Sequence, residues 1–193
     1  MSAHRLAALW RNVLDDPTLS AGQRRWLADE GSLTTRLRAC CQDFSVEVLR
    51  QNLGRPLWDE AALLGRPPHQ LAWLREVLLK TDGVPQVFAH SALARHEARG
   101  PWQLFAGMGN RPLGAALFSD PGIDRQPLQF RRLDARHPLY RAALQAAGPF
   151  LSPVPPPHLW ARRSLFTHDQ QSLLVCEVFL PTVFSLPVHS AAG

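Results

Sequence analysis

The sequence has few cysteines and no long apolar run, and both shortages restrict what the chain can be. Three of its 193 residues are cysteine, namely Cys40, Cys41 and Cys176. Because two of them are adjacent and no Cys-x-x-Cys pair occurs, neither a zinc knuckle nor a disulfide framework is indicated. No stretch approaches the roughly 18 apolar residues that a membrane-spanning helix needs. The N-terminus is too short and too interrupted for a secretory signal, so we expect a cytoplasmic protein with no membrane span.

Lysine is almost absent as well, since Lys80 is the single lysine of the chain. The formal net charge is nevertheless +5, because arginine is abundant. The arginines are scattered, mostly single or paired, and no aromatic residues alternate with them in a recognisable motif. A solvated basic surface is therefore the simpler interpretation, and a nucleic-acid partner is not expected. Such a surface would still attract an anionic small molecule.

The chain does contain enough apolar sequence for one folded domain. Apolar residues make up 46% of it and charged residues 19%, proportions that are ordinary for a globular protein. The length fits a single domain spanning 1–193. Residues 182–193 are expected to form a loose tail, as chain ends often do.

Helical periodicity is concentrated in the first part of the chain. Apolar residues at helical spacing predict a helix over 4–14. Ser20 followed by Gln23 is a capping-box signal for a second helix that ends near Asp29, and a third is predicted over 33–41. Further short helices are predicted over 59–64, 112–118 and 137–147.

Strand patterns dominate the rest of the sequence. Asp82-Gly83 is the strongest turn signal and joins predicted strands over 71–81 and 84–93 into a hairpin. A second predicted hairpin joins 160–167 to 172–181. Helices followed by hairpins predict an α+β fold, a single domain with a mainly antiparallel sheet of about six strands flanked by helices.

Two apolar strands each carry one charged residue on an otherwise apolar face. On one strand Glu177 shares its face with Val175 and Phe179, and on another Arg75 lies in line with Val77. A carboxylate in such surroundings either shifts its pKa or pairs with a cation. The pair of opposite charges indicates a buried site for a polar ligand, although a direct Arg75–Glu177 salt bridge would also account for it.

Five short motifs occur in order between residues 26 and 181. They are Asp29-Glu30-Gly31-Ser32-Leu33-Thr34, Trp73-Leu74-Arg75-Glu76-Val77-Leu78-Leu79, Gly109-Asn110-Arg111-Pro112-Leu113-Gly114, Trp160-Ala161-Arg162-Arg163-Ser164 and Cys176-Glu177-Val178-Phe179-Leu180-Pro181. Each motif is weak alone, but the ordered series is specific, and in it the chain resembles the chorismate pyruvate-lyase family.

The resemblance implies a chorismate lyase-like domain whose ligand is buried under flaps. It implies that the chain eliminates pyruvate from chorismate to give 4-hydroxybenzoate, the first committed step of ubiquinone biosynthesis. No metal and no organic cofactor is expected. The expected partners are the small molecules themselves, and we expect a monomer.

The resemblance also assigns roles to individual residues. Arg75 and the backbone N–H groups of Leu33 and Leu113 are expected to bind the ring carboxylate, while Glu177 is expected at the ring oxygen, where it handles the proton. Arg75 and Glu177 are thus the expected catalytic residues. These roles suit the residues, because a guanidinium grips a planar carboxylate with two hydrogen bonds. Backbone N–H groups in the first turn of a helix also favour anions.

One departure from the family concerns the second carboxylate of chorismate. Where the family often has an arginine on the return strand of the first hairpin, this chain has His90. Arg162 and Arg163 are the candidates to replace it. Two alternatives to the enzyme remain at this point: a non-catalytic aromatic-acid-sensing domain of the same fold, and a basic nucleic-acid-binding protein, whose binding would depend steeply on salt.

Overall fold

The computed structural model describes residues 10–98, 102–151 and 153–187. Its described strands form one antiparallel sheet of seven strands in the order β1-β2-β3-β7-β6-β4, with β5 also paired to β6. The strands are β1 (Phe44–Gly54), β2 (Ala72–Thr81), β3 (Val84–Ala94), β4 (Asp124–Arg125), β5 (Gln129–Leu133), β6 (Leu159–His168) and β7 (Gln171–Phe179). The α+β class and the antiparallel sheet predicted from the sequence are confirmed.

Short helices flank this sheet. They are α1 (Ala21–Leu27), α2 (Leu33–Arg38), α3 (Trp58–Leu63), α4 (Gln103–Ala106), α5 (Leu113–Ser119) and α6 (Pro138–Ala147). Single 3₁₀ turns cover Arg95–Ala98, Gly148–Phe150 and Pro181–Ser185. The helices predicted over 59–64, 112–118 and 137–147 are therefore present with small shifts of their ends.

Both predicted hairpins are present. Asp82 and Gly83 join β2 to β3 with φ angles of 48° and 79°. Two consecutive positive φ values are the signature of a two-residue turn that matches the twist of the strands it joins. Asp169 and Gln170 join β6 to β7 in the same way, with φ angles of 48° and 63°.

The first helices are shorter than the sequence predicted. The capping box of α1 is confirmed: Gln23 N donates to Ser20 Oγ over 3.2 Å, and Ser20 N donates to Gln23 Oε1 over 2.9 Å. The helix nevertheless ends at Leu27, two residues before the predicted end. Similarly, α2 ends at Arg38 and not at residue 41, because Cys40 N donates to the carbonyl three residues back and so tightens the last turn.

The two ends of the chain correct the sequence analysis further. Of the helix predicted over 4–14, residues 4–9 lie outside the described residues, and 10–14 are not helical. Instead, Arg11 forms an antiparallel bridge with Phe130. The tail predicted to be loose begins with a 3₁₀ turn in which Val183 is fully buried, because its apolar side chain packs into the core. Residues 188–193 lie outside the described residues.

Each face of the sheet packs against its own set of helices. The face that carries Arg75 packs against α1 and α2 through a core that contains Trp26, Leu27 and Leu37. The opposite face packs against α6, where Leu139 and Ala143 are buried. Both faces are covered, which explains why the inner strands are apolar on both alternating sides.

A charged cluster is buried on the α6 side of the sheet. His90 of β3 lies between Glu60 of α3, with Nε2 3.3 Å from Oε1, and Glu76 of β2, with Nδ1 3.2 Å from Oε1. Burial disfavours the imidazolium, but the two carboxylates outweigh it and raise the pKa of His90 to about 10. For Glu60, burial disfavours the carboxylate and by itself would raise the pKa. The charge of His90 and its hydrogen bond outweigh burial, so the pKa of Glu60 lies below its ordinary value. The hydrogen bond from His90 also lowers the pKa of Glu76.

We therefore predict that His90 makes stability depend on pH above neutrality. Its folded-state pKa is raised from 6.5 to about 10, so its stabilising contribution is complete below pH 6.5 and is lost as the pH rises toward 10. In His90→Gln the free energy of unfolding, measured by urea denaturation, should lose this decline between pH 6.5 and 10. The exposed His69→Gln is the control and should behave as the wild type does. An unchanged pH profile in His90→Gln would contradict the assignment of a charged His90.

Candidate active site

A closed pocket lies between the α1–α2 side of the sheet and a roof formed by the starts of α2 and α5. It brings together all four residues singled out from the sequence, Leu33, Arg75, Leu113 and Glu177. Its free volume is about 40 Å³, room for a few water molecules. We therefore expect the roof side chains to move apart when a ring enters.

The floor of the pocket consists of two rows of residues that are paired across four strands. The first row contains Arg75 of β2, Ser91 of β3, Val175 of β7 and Ser164 of β6. The second row contains Val77, Ala89, Glu177 and Arg162 on the same strands. Ser91 and Val175 in the middle of the first row and Ala89 in the second are small or β-branched and leave space above them, while Arg75 and Arg162 lie at opposite ends of the floor and Glu177 lies next to Arg162.

Arg75 is buried at one end of the floor and is held by the loop that leads into α5. Its Nη2 donates to the carbonyl oxygens of Gly109, over 2.9 Å, and Arg111, over 3.2 Å. Its Nε is buried and has no hydrogen-bond partner among the described residues. Burial alone lowers the pKa of Arg75, so an anion that binds here would both satisfy a donor and offset the cost of burying the charge.

Glu177 lies beyond β3 from Arg75 and pairs with a cation, one of the two outcomes that the sequence analysis allowed for this carboxylate. Arg162 Nε donates to Glu177 Oε2 over 2.6 Å. Among the described residues no hydrogen bond or ion pair joins Glu177 to Arg75, so the alternative of a direct salt bridge between these two is wrong. In the sheet β7 lies between β3 and β6, and β2 is not its neighbour. The carboxylate of Glu177 is therefore satisfied by Arg162 of β6 and not by Arg75 of β2.

Arg162 is almost completely enclosed. Besides Glu177, its guanidinium contacts backbone carbonyls at the end of α1, donating through Nη1 to Leu27 O over 3.2 Å and also to Asp29 O. The carbonyl end of a helix carries partial negative charge, which favours a cation there. Arg162 therefore fixes both the orientation of Glu177 and the position of α1 over the sheet.

Of the two candidates for the second carboxylate, Arg162 lines the pocket but is paired with Glu177, whereas Arg163 lies on the opposite face of the sheet. Arg163 Nη1 donates to Asp59 Oδ2 over 2.8 Å on the α6 side. His90 belongs to the buried cluster described above, and Ser91 is the β3 residue opposite Arg75. His90 faces away from the pocket because of a β-bulge after Leu79. The bulge shifts the register of the hairpin by one residue and so exchanges the two faces of β3.

Arg125 of β4 is a pocket residue that the sequence analysis missed. Its Nε donates to Ser164 Oγ over 3.0 Å and its Nη1 to Glu30 O over 2.6 Å. A two-residue strand has no periodicity to detect, so no sequence pattern marked it. Among the described residues, three guanidinium groups and one carboxylate thus line the pocket, which leaves two positive charges without a counter-charge in that lining.

The roof depends on a close approach between α2 and α5. Leu33 and Leu113 are the first residues of these helices, whose first N–H groups have no acceptor within the helix. Gly114 faces Thr34, and a Cβ on Gly114 would lie 3.0 Å from Thr34 Oγ1. A side chain at this position would require Thr34 to shift by a few tenths of an ångström, so glycine favours the close approach of the two helix starts over the pocket.

The fold and the pocket define an α+β protein with a cationic pocket between the sheet and short helices. The family model described as chorismate lyase matches residues 5–188. The chain belongs to the chorismate lyase family.

Relatives support this membership over nearly the whole chain. A protein of Aromatoleum aromaticum, named as a probable chorismate pyruvate-lyase, is 57% identical over 178 residues, covering 92% of this chain and 95% of the relative. Proteins with the same name from an Azoarcus species and Nitrosospira multiformis are 53% and 44% identical, covering 85% and 88% of this chain and 86% and 92% of their own lengths.

Solved structures with little sequence similarity share the fold. The effector domain of PhnF from Mycobacterium smegmatis matches with a TM-score of 0.52 at 18% identity, covering 79% of this chain and 90% of that one. The ligand-binding domain of a GntR-family transcriptional regulator from Bordetella bronchiseptica matches with a TM-score of 0.50 at 15% identity, covering 78% of this chain and 90% of that one.

Among the described residues no helix has the length and apolar character that crossing a membrane requires.

We predict that Gly114→Ala destabilises the protein through its contact with Thr34. The added methyl group forces the two helix starts apart, which should lower the free energy of unfolding by about 1–3 kcal/mol, as overpacking does. Gly107→Ala is a matched control, because an added Cβ there meets no atom within 4 Å. Chemical denaturation should also show that adding Thr34→Ala restores part of the loss, and strictly additive effects would contradict the proposed contact.

Proposed function

We propose that this protein is a chorismate pyruvate-lyase that converts chorismate to 4-hydroxybenzoate and pyruvate. The observation that carries the proposal is the charge of the pocket. Three buried or half-buried guanidinium groups and one carboxylate leave an excess of two positive charges, which matches a ligand with two carboxylates. Chorismate is such a ligand, and the relatives at 44–57% identity carry the corresponding name.

Arg75 is the proposed partner of the ring carboxylate. Its unpartnered Nε supplies one donor, and the first N–H groups of α2 and α5, at Leu33 and Leu113, supply others from the roof. Two donors of one guanidinium, or a guanidinium with main-chain donors, fix the plane of a carboxylate as well as its position. The loop carbonyls that hold Arg75 lead directly into α5. The same contacts therefore position the guanidinium and the first N–H group of α5.

Glu177 is the proposed proton-handling group at the other end of the ring. In the reaction the ring C–H bond next to the ether carbon and the ether C–O bond break, a ring double bond forms, and the released enolpyruvate gains a proton on carbon to become pyruvate. Arg162 holds Glu177 as a hydrogen-bond-accepting carboxylate, which suits it to receive the ring proton. Proton transfer by a positioned group contributes roughly 10²–10⁴-fold to rate.

The closed pocket contributes by fixing one reactive conformer and excluding water. Aromatisation of the ring drives the reaction, so the proposal requires no metal and no organic cofactor. We further propose that the enzyme acts as a cytoplasmic monomer and that its product feeds ubiquinone biosynthesis.

Incubation of the purified protein with chorismate tests the activity directly. Chromatography should detect 4-hydroxybenzoate and pyruvate in equal amounts, at a rate well above that of chorismate alone in buffer. Absence of product together with tight binding of 4-hydroxybenzoate would favour the non-catalytic sensing domain of the same fold. Absence of both would reject the site as assigned.

Glu177→Gln should reduce turnover far more than it reduces binding. The amide keeps the size of the side chain but cannot accept the proton, so we expect kcat to fall roughly 10²–10⁴-fold with a much smaller change in the Kd for 4-hydroxybenzoate. The exposed Glu47→Gln on β1 is the charge-matched control. Unchanged turnover in Glu177→Gln would remove this residue from the proton path.

Arg75→Ala should instead weaken binding. Truncating one partner of a buried, hydrogen-bonded charge pair costs about 2–5 kcal/mol, and titration calorimetry with 4-hydroxybenzoate measures this loss. Arg141→Ala, on the exposed side of α6, controls for the lost charge. A folded Arg75→Ala variant that binds 4-hydroxybenzoate normally would contradict the placement of the ring carboxylate.

A further inference from the structure

The guanidinium of Arg125 is held rigidly at the edge of the pocket. Ser164 Oγ and the backbone carbonyl of Glu30 accept hydrogen bonds from its Nε and Nη1. The rings of Phe118 and Phe166 lie on it, with centroids 5.3 and 5.5 Å from Cζ. Arg125 is thus oriented by contacts from β6, from α5 and from the segment before α2.

None of these contacts neutralises the charge. In the part of the chain that the structure describes, Nη2 of Arg125 makes no hydrogen bond and no carboxylate oxygen lies within 4.0 Å of the guanidinium. Burial, followed by the neighbouring charge of Arg162, lowers the pKa of Arg125. The more distant carboxylates of Glu177, Glu30 and Asp29 offset this in part, and an anion bound beside Arg125 would supply a counter-charge in direct contact.

Arg75 lies at one end of the first floor row, and Arg125 is hydrogen-bonded to Ser164 at the other end. Ser164, which anchors Arg125, is separated from Arg75 by three inter-strand steps, roughly 14 Å between backbones at the usual strand spacing. Ser91 and Val175 occupy the middle of the row. A ring whose carboxylate is bound by Arg75 therefore has its far side toward Glu177 and Arg125.

The two arginines of the Trp160-Ala161-Arg162-Arg163-Ser164 motif cannot take this part. Arg162 is committed to Glu177 and to the carbonyls at the end of α1, and Arg163 pairs with Asp59 on the opposite face. Arg125 is the remaining cation of the pocket lining.

We propose that Arg125 binds the carboxylate of the enolpyruvyl side chain of chorismate and so selects the dicarboxylate substrate over the monocarboxylate product. This inference rests on the proposed function. Once the ether bond breaks, that carboxylate departs with pyruvate, and Arg125 then has no contact with the aromatic product. Arg75 recognises both ligands, whereas Arg125 recognises the substrate alone.

The test compares substrate and product in the same variants. In Arg125→Gln the KM for chorismate should rise ~10- to 100-fold, the range expected for a lost hydrogen bond to a charged group, with a smaller change in kcat. The Kd for 4-hydroxybenzoate, measured by titration calorimetry, should stay at the wild-type value. Arg125→Lys keeps the charge but not the planar guanidinium group, so its KM for chorismate should lie between those of the wild type and Arg125→Gln.

Arg141→Gln is the matched control, because it removes an exposed charge far from the pocket. Thermal unfolding of each variant verifies its fold, and Arg125→Lys serves if the glutamine variant does not fold. An unchanged KM, a loss in kcat alone, or equal weakening of chorismate and 4-hydroxybenzoate would overturn the inference. A wild-type protein that forms no 4-hydroxybenzoate from chorismate would reject the proposed function instead, and equilibrium binding of chorismate would then still decide the role of Arg125.

Discussion

The pocket depends on keeping three guanidinium groups charged inside a largely apolar fold. Arg75 and Arg125 are held by oxygen atoms that carry only partial charge, namely loop carbonyls at Arg75 and a carbonyl and a hydroxyl at Arg125. Arg162 is held by helix carbonyls and by Glu177, the one full counter-charge among the described residues that line the pocket. Because carbonyls hold cations without cancelling them, the site keeps a positive excess for an anionic ligand, and the same contacts tie the surrounding loops to the sheet.

Much of this could be predicted from the sequence because it follows from local chemistry. The Asp82-Gly83 turn and the capping box at Ser20 each have a short-range physical cause, and both are present. Alternation along a strand placed Arg75 and Glu177 each on a single apolar face, and both faces turn out to be the same side of one sheet. The structure adds the reason for one motif glycine, since Gly114 lets two helix starts approach each other.

The remaining features depend on relations between distant residues that no local pattern contains. A bulge of one residue in β3 decides whether His90 or Ser91 faces the pocket, and one residue of register exchanges the faces of a strand. The pairing of Arg162 with Glu177 depends on which strands are neighbours in the sheet, and Arg125 reaches the pocket from a strand of two residues. Val183 is buried by packing on the core, although its position near the chain end predicted a loose tail.

A crystal structure with 4-hydroxybenzoate bound is the most direct measurement of the central claim, that the pocket holds one aromatic ring between a carboxylate-binding end and a proton-handling end. We expect the carboxylate of the ligand to lie on Arg75 and the N–H groups of Leu33 and Leu113, with the hydroxyl group toward Glu177. A ligand bound in the reverse direction, or bound elsewhere while the Arg75 pocket stays closed, would contradict it.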